Sequence, residues 1–148
     1  MENGAMQSDT TRLVQLIIKC GHRLNAVGRE MEATSPQGGA WGLMKSLQRS
    51  GPQTIPSLAR SRPVSRQHIR QLAQALISRG WIETMPNPHH KRSFLLQLTA
   101  SGEQATQSMD QQIESSLSGW LQGLPSEQLK TTVDTLSILA DRLQQRLA

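Results

Sequence analysis

One stretch decides the fold of this chain: Leu58-Ala59-Arg60-Ser61-Arg62-Pro63-Val64-Ser65-Arg66-Gln67-His68-Ile69. The Arg62-Pro63 step must end a helix, because the residue before a proline disfavours the α region. Ser65 follows within three residues and is a good N-cap for a second helix. Two short helices separated by a tight break, the second of them capped by serine, are typical of a helix-turn-helix.

The residues on either side of this stretch support the same interpretation. Thr54 can cap the first helix, and Pro56 lies in its first turn, where proline is tolerated. The second helix is predicted to run from Ser65 to Arg79 and to stop at Gly80, a common C-terminal residue. Its predicted buried stripe is Ile69, Leu72 and Leu76.

After Gly80 the apolar pattern changes to a period of two, which is typical of strands. The two predicted strands are Trp81–Met85 and Phe94–Leu98. Their connection at 86–93 contains two prolines and an asparagine, as turns do, and its tip is basic. We therefore expect a β-hairpin here, the wing of a winged helix-turn-helix.

Three long helices and one more short helix are predicted outside this region. The first long helix covers Ser8–Met31, with apolar residues every three or four positions: Leu13, Leu16, Ile17, Cys20, Leu24, Val27 and Met31. It ends before a loop at 34–39, and a short helix follows with inward-facing Trp41, Met44 and Leu47. Thr99 caps the next long helix, which ends at the break at 123–125. The last helix carries a heptad seam: Leu129, Val133, Leu136, Ala140, Leu143 and Leu147.

The apolar stripes of the long helices exceed what a short winged-helix core can cover. Packing within one chain is one explanation of the heptad seam, and pairing with a second copy is the one that we favour. The predicted fold is therefore mainly α with a small β-hairpin wing, a winged helix-turn-helix plus a helical dimerisation region. We divide it into an N-terminal dimerisation helix at 1–33, a winged helix-turn-helix DNA-binding lobe at 34–99 and two C-terminal dimerisation helices at 100–148.

The composition fits one helical domain. The chain has 148 residues and only 3% aromatic residues, and a core of Leu, Ile, Val and Met suits packed helices better than a β-sandwich. Its single cysteine, Cys20, cannot form an internal disulfide. No apolar run approaches the ~20 residues of a membrane span, and the polar N-terminus does not resemble a secretory signal. We therefore expect a cytoplasmic protein without a membrane partner.

Positive charge is concentrated in the middle of the chain. Between Trp41 and Leu98 there are nine Lys and Arg and one acid, a net charge of +8, whereas the remaining residues carry seven basic and ten acidic groups, a net charge of −3. A basic centre between mildly acidic ends indicates a polyanionic partner. An uneven, solvated surface is the alternative explanation.

The helix after Ser65 has a polar face opposite its buried stripe. That face consists of Gln67, Arg70, Gln71 and Gln74, flanked by Arg66 and His68. Arg can donate two hydrogen bonds to guanine and Gln can bond bidentately to adenine, so Arg66, Gln67 and Arg70 are the leading candidates for base contacts. The expected phosphate contacts are Arg60, Arg62, Ser65 and Lys45. The wing tip, with His89, His90, Lys91 and Arg92, is expected to reach the minor groove.

The combination of these motifs resembles the MarR family of winged-helix regulators. The resemblance rests on element order and on four segments of this chain: Leu58-Ala59, Arg62–Ile69, Leu76–Ile82 and Arg92–Gly102. It implies a homodimer on double-stranded DNA, with Arg92 inserted into the minor groove. It also implies a small aromatic or anionic effector between the helical region and the DNA-binding lobe, in a pocket lined by His22, Trp41 and Met44. Two departures stand out: His90 replaces the family's usual acid before the basic pair, and Arg62-Pro63 replaces its usual Leu-Gly.

An enzyme is disfavoured by the residues present. Four histidines and one cysteine are the candidate soft ligands or nucleophiles, and adjacent His89 and His90 lack the spacing of a zinc pair. The chain has no glycine-rich phosphate loop after a strand and no hydrolase or metalloprotease motif. We expect no catalytic residues, no metal and no cofactor.

The predicted function is a sequence-specific DNA-binding transcription regulator, a homodimeric repressor on an inverted-repeat operator that a small effector releases. Two alternatives stay open. One is a thiol-based redox sensor that uses Cys20, although a buried apolar role suits this residue better. The other is a non-specific nucleic-acid-binding protein, which would stack bases on aromatic side chains. Trp41, Trp81 and Phe94 are the aromatics of the basic region, and we expect all three in the core.

Overall fold

The structure is a computed structural model that describes residues 2–34, 39–62 and 64–147. The described elements are, in order, α1 Glu2–Thr34, α2 Ala40–Ser50, α3 Ile55–Ser61, α4 Arg66–Ser78, β1 Ile82–Pro86, β2 Phe94–Leu98, α5 Ala100–Leu121 and α6 Ser126–Leu147. This mainly helical architecture with one hairpin confirms the predicted fold class. The centre of the predicted loop at 34–39 and Pro63 lie outside the described residues, as do the side chains of Val27, Met31 and Leu147.

The chain divides into two compact units, Met1–Ala40 and Trp41–Ala148. The first unit contains α1, which is longer at both ends than the predicted helix at Ser8–Met31. The second unit contains the winged helix-turn-helix together with α5 and α6. The domain boundaries that we place at 33 and 99 stay predictions.

Three side-chain caps start the helices of the second unit. Thr54 Oγ1 accepts a hydrogen bond from the N–H of Ser57 at 3.3 Å, and Ser65 Oγ accepts one from the N–H of His68 at 3.0 Å. Thr99 Oγ1 accepts one from the N–H of Gly102 at 3.0 Å. Each bond satisfies a first-turn N–H that has no partner within its helix. All three predicted caps are confirmed.

Glycines end two of these helices in the left-handed region. Gly80 has φ +71° after α4, and Gly123 has φ +86° after α5. A residue with a Cβ is strained there, so glycine is the natural stop. The predicted stops at 80 and 123 are confirmed.

The core of the winged helix is built from apolar residues of every element. Leu43, Met44, Leu58, Ile69, Leu76 and Ile82 are among the fully buried side chains. Two expectations are wrong. Trp41 is 39% exposed, because the buried stripe of α2 runs through Leu43 and Met44 and leaves Trp41 to one side. Phe94 is 66% exposed, because it lies at the far end of the hairpin, opposite Pro86.

The hairpin pairs antiparallel, from Ile82 opposite Leu98 to Pro86 opposite Phe94. A third short segment joins it, which the sequence analysis did not predict. Gln53 exchanges both backbone hydrogen bonds with Leu96, at 3.1 and 2.8 Å. Because this bridge involves one residue between α2 and α3, no alternating pattern could reveal it.

The start of α5 is fixed to the base of the hairpin. Thr99 donates from its backbone N–H to the carbonyl of Trp81 at 3.1 Å and from Oγ1 to the carbonyl of Gly80 at 2.6 Å. A Cβ on Gly102 would overlap the carbonyl oxygen of Trp81, so only glycine permits this close approach. Thr106 is fully buried and donates its hydroxyl to the carbonyl of Gly102 at 2.8 Å. The first two turns of α5 are therefore part of the winged-helix unit.

The long helices expose apolar side chains. On α1 the exposed residues include Leu13, Leu16, Ile17 and Leu24, and on α6 they include Leu129, Val133, Leu136 and Leu143. Cys20, expected to be a buried apolar residue of the same α1 stripe, is also exposed. That expectation is wrong for the single chain, where the stripe is not covered. None of the helices in the described part of the chain is both long and apolar enough to span a membrane.

Candidate nucleic-acid interface

Helix α4 separates an apolar face from a polar one. Ile69, Ala73 and Leu76 are buried, at spacings of four and three residues that place them on one line. Leu72, which we expected on this line, lies beside it and is half-buried. The polar side chains expected around the stripe are all exposed: Arg66, Gln67, His68, Arg70, Gln71 and Gln74. The structure therefore presents one polar surface along the whole of α4.

The first turn of α4 is held in place by Ser65. Its hydroxyl accepts from the N–H of His68, and its carbonyl accepts from the N–H of Ile69 at 3.1 Å. The preceding turn is closed by a bond from the N–H of Val64 to the carbonyl of Ala59 at 3.4 Å. This short connection orients α4 against α3 and leaves Arg66 and Gln67 at its exposed start.

The two arginines of the α3 end differ in their surroundings. Arg60 is exposed on the last turn of α3. Arg62 is half-buried, and its guanidinium lies against α2, where a Cβ added to Gly42 would be 2.8 Å from Nη2. Burial lowers the pKa of Arg62, because desolvation disfavours the charged form. Both phosphate contacts stay predictions, and Arg60 is the more accessible of the two.

The wing tip, residues 87–93, carries the predicted minor-groove residues. His89, His90, Lys91 and Arg92 are all exposed. Asn87 and Ser93 flank them, are half-buried, and are joined by a hydrogen bond from Nδ2 to Oγ at 3.0 Å. The tip is thus an ordered turn that presents one lysine, one arginine and two imidazole side chains to solvent.

A polar cluster that the sequence analysis missed connects α2 to α5. Trp41 donates its indole Nε1–H to Asp110 Oδ1 at 2.8 Å, and Lys45 Nζ lies 2.9 Å from Asp110 Oδ2. Lys45 also donates to Gln48 Oε1 at 2.9 Å. These bonds already engage the ammonium that we assigned to a phosphate. No local signal in the sequence marks Asp110, which is 65 residues from Lys45.

The cluster stabilises the ionised form of Asp110. Its pKa is lowered, chiefly by the hydrogen bond from Trp41 and then by Lys45, although desolvation acts in the opposite direction. The side chains of Lys45 and Asp110 are 38% and 31% exposed, so solvent screens their attraction. The cluster is a modest surface connection rather than a buried ion pair.

The three residues predicted to line an effector pocket lie in different units. His22 is exposed on α1, where it lines a shallow groove with Gln15, Ile18, Lys19 and Arg23. Trp41 and Met44 belong to α2 in the other unit. Met44 is fully buried, so only Trp41 of this pair offers an accessible surface.

The described residues contain no group of three or more His, Cys, Asp or Glu side chains close enough to hold a metal ion. The predicted DNA-binding residues of the second unit lie on two exposed basic surfaces, one on α4 and one on the wing tip.

Known proteins resemble this chain more strongly in fold than in sequence. No family model matches the sequence. Uncharacterized proteins of Mycobacterium tuberculosis and Mycobacterium bovis are 29% identical over 104 residues, which are 70% of this chain and 73% of each relative. The alignment with these relatives therefore covers the greater part of this chain, but their names state no activity.

Solved structures match the fold over most of its length. Apo MarR from Escherichia coli has a TM-score of 0.71 at 20% identity and covers 84% of this chain and 93% of its own. A MarR family transcriptional regulator from Silicibacter pomeroyi has a TM-score of 0.70 at 16% identity, with 84% of both chains covered. The PcaV transcriptional regulator from Streptomyces coelicolor, solved with its natural ligand, has a TM-score of 0.61 at 19% identity and covers 82% and 89%.

The superposition with apo MarR leaves out about one sixth of this chain, so most of its helices and its hairpin have counterparts in that structure. This agreement confirms the resemblance at the level of fold. The chain adopts the winged helix-turn-helix fold of the MarR-family transcriptional regulators.

Proposed function

We propose that this chain is a transcription regulator that binds double-stranded DNA sequence-specifically, as a homodimer on an inverted repeat. One observation carries the proposal: α4 exposes Gln67, Arg70, Gln71 and Gln74 on the face away from Ile69, Ala73 and Leu76, and it exposes Arg66 and His68 on the flanks of that face. A capped second helix of a helix-turn-helix with such a face has the geometry that enters the major groove.

The side chains on this face suit base recognition. A guanidinium can donate two bonds to O6 and N7 of guanine, and a carboxamide can donate to and accept from adenine. Arg66 and Gln67 lie in the first turn of α4 and Arg70 follows one turn later. The first turns of a recognition helix are the part that reaches the base edges. We therefore assign base contacts to these three residues, with Gln71 on the same face and His68 at its edge as further contacts.

Backbone contacts are assigned to residues around α4. Arg60 is exposed beside its N-terminus, and Ser65 lies at the cap itself. Arg62 packs on α2, so in our proposal it supports the position of α3 as well as adding positive charge. These backbone contacts fix register and supply the salt-dependent part of the affinity. His90, Lys91 and Arg92 of the wing tip supply a second basic surface, which we assign to the adjacent minor groove.

The exposed seam on α6 supports a homodimer. Leu129, Val133, Leu136 and Leu143 recur at heptad spacing and are 39–54% exposed in the single chain. In a symmetric dimer the same seam of a second copy can pack against it and bury these side chains. Two copies of α4 would then meet half-sites roughly 34 Å apart, one turn of B-DNA.

Replacing one seam residue with a charge tests the dimer. Leu136→Asp is expected to give a monomer in sedimentation or light scattering, because burying an unpaired carboxylate in an apolar interface is costly. Ile138→Asp is the matched control, since Ile138 is 55% exposed on the same helix but lies off the seam. If both variants stay dimeric, α6 is not the interface.

Repression and an effector complete the proposal. One solved structure with this fold, TM-score 0.70, is named a multiple antibiotic resistance repressor, and the PcaV regulator was solved with its natural ligand. By analogy we propose repression that a small aromatic or anionic ligand relieves. Trp41, half exposed beside Lys45, is the contact for such a ligand in the second unit, and His22 is a separate contact on α1.

The deciding experiment is a binding assay with the DNA that flanks the chain's own gene. We expect a duplex with an inverted repeat to bind at least ~10³-fold tighter than a scrambled duplex at physiological salt. Equal affinity for both duplexes would contradict sequence-specific regulation.

One observation favours a second candidate, a non-specific single-strand binder. Phe94 is 66% exposed next to the basic wing tip, where it could stack on a base. Single-stranded DNA and RNA therefore belong in the same assay. Tighter binding to either than to any duplex, lost in Phe94→Leu, would favour this candidate.

A further inference from the structure

The wing tip is built from two consecutive β-turns. The N–H of His90 donates to the carbonyl of Asn87 at 3.2 Å, and the N–H of Ser93 donates to the carbonyl of His90 at 3.1 Å. His90 is thus the last residue of the first turn and the first residue of the second. Lys91 and Arg92 occupy the two central positions of the second turn. Both cations are therefore displayed at its outer corner.

The side chain of Asn87 ties the two ends of this double turn together. Its Oδ1 accepts from the N–H of His89 at 3.0 Å, and its Nδ2 donates to Ser93 Oγ at 3.0 Å. Ser93 Oγ in turn donates to the carbonyl of His90 at 3.3 Å. One carboxamide thus holds the first turn by its oxygen and the end of the second turn by its nitrogen.

Packing contributes little to the shape of the tip. None of the residues 87–93, all of which the structure describes, is buried. The strand ladder ends at the pair Pro86 and Phe94, and Phe94 is itself mostly exposed. Pro86 and Pro88 restrict the backbone on either side of Asn87. The conformation of the tip therefore rests on these turns and on the Asn87 hydrogen bonds.

From this geometry we propose that Asn87 is a positioning residue for DNA binding: it holds Lys91 and Arg92 in the orientation that reaches the minor groove and does not contact DNA itself. The inference rests on the proposed function, because only a DNA-binding wing gains from ordered cations. Ordering a flexible tip on binding costs entropy, and a tip ordered beforehand avoids that cost.

The test is Asn87→Ala in the full-length protein, with binding to the flanking-gene duplex measured by fluorescence anisotropy. We expect affinity to fall about fivefold, which corresponds to about 1 kcal/mol for one lost hydrogen-bonding side chain. Thr84→Ala is the matched control, since Thr84 is exposed on β1 of the same hairpin. It is expected to leave the affinity unchanged.

A double-mutant cycle separates positioning from general destabilisation. In a Lys91→Ala, Arg92→Ala background, Asn87→Ala is expected to cause no further loss, because the cations that it orients are gone. Ser93→Ala is expected to give the same non-additive loss of affinity, and it replaces Asn87→Ala in the cycle if Asn87→Ala does not fold. Additive losses in both cycles overturn the inference.

The failure of this inference can be told apart from failure of the proposed function. If the unaltered chain binds no duplex, the proposed function is wrong and the inference falls with it. If the unaltered chain binds the duplex and the Lys91, Arg92 variant is weaker, but Asn87→Ala binds like the unaltered chain, only the role of Asn87 is wrong.

Discussion

The two basic surfaces of this protein are held in place by different forces. In α4 the polar face is backed by Ile69, Ala73 and Leu76, which are buried in the core of the winged helix. The wing tip has no buried side chain, and its shape rests on hydrogen bonds of Asn87 and Ser93. One surface is supported by apolar packing, and the other by polar bonds in contact with solvent.

The difference predicts how each surface responds to substitution. Buried apolar contacts are worth several kcal/mol each, whereas exposed hydrogen bonds and ion pairs are worth about 1 kcal/mol or less. A change in the packing behind α4 should therefore affect the stability of the whole unit. A change in the polar bonds of the surface should affect one local geometry.

The largest effect is expected when the packing behind α4 is removed. Ile69→Ala should lower the free energy of unfolding by about 2–5 kcal/mol, since Ile69 is fully buried and a cavity replaces its side chain. Urea unfolding measures the loss, with Val64→Ala, at a position 37% exposed, as the control. Similar losses in the two variants would contradict the claim that packing holds α4.

A smaller effect is expected when the exposed face of α4 is changed. Arg70→Ala should weaken operator binding by about 1–3 kcal/mol and relax the preference at one base pair, while stability stays the same. Lys130→Ala removes an exposed cation from α6 and serves as the charge-matched control.

Arg60→Ala should instead weaken binding to every DNA sequence by the same factor, because it contacts the backbone. The slope of log binding constant against log salt concentration should become shallower by about 0.9. Equal loss of sequence preference in Arg60→Ala and Arg70→Ala would contradict this division of roles.

The smallest effect is expected at Asp110, which joins α2 to α5 by polar bonds. At pH 7, Asp110→Asn should lower the free energy of unfolding by about 1 kcal/mol or less. The folded-state pKa of Asp110 lies below its ordinary value of 3.8, so its contribution is present above that value and is lost as the pH falls through the folded-state pKa. The difference between the two proteins should therefore shrink below about pH 4.

Urea unfolding at a series of pH values from neutral to acid checks this prediction. Asp134→Asn on α6 is the matched control, because it removes one exposed carboxylate. If the difference in the free energy of unfolding between Asp110→Asn and the unaltered chain stays constant down to acid pH, the carboxylate charge contributes nothing to stability.

Local signals in the sequence predicted much of the fold. Thr54, Ser65 and Thr99 are confirmed as caps, because a capping hydroxyl needs only an N–H three residues away. Gly80 and Gly123 are confirmed as stops, because positive φ is a property of the single residue. The polar face of α4 followed from helical spacing alone.

The errors concern residues whose environment is set by distant parts of the chain. Trp41 was expected in the core, yet its indole reaches Asp110, 69 residues away, and remains partly exposed. Phe94 has strand character but lies beyond the core that the hairpin covers. The pairing of the Lys45 ammonium with Asp110 was likewise not predicted, and its phosphate contact stays a prediction.

The sequence by itself therefore determined the element order, the caps, the breaks and the polar side chains exposed on α4, since each depends on neighbours within one or two turns. Only the tertiary structure decided the Gln53–Leu96 bridge and the Asp110 cluster. The same holds for the packing of the Arg62 guanidinium on Gly42 and for the close approach of Gly102 to the Trp81 carbonyl. Those contacts join residues far apart in the chain, and local periodicity or propensity does not predict which distant residues will be in contact.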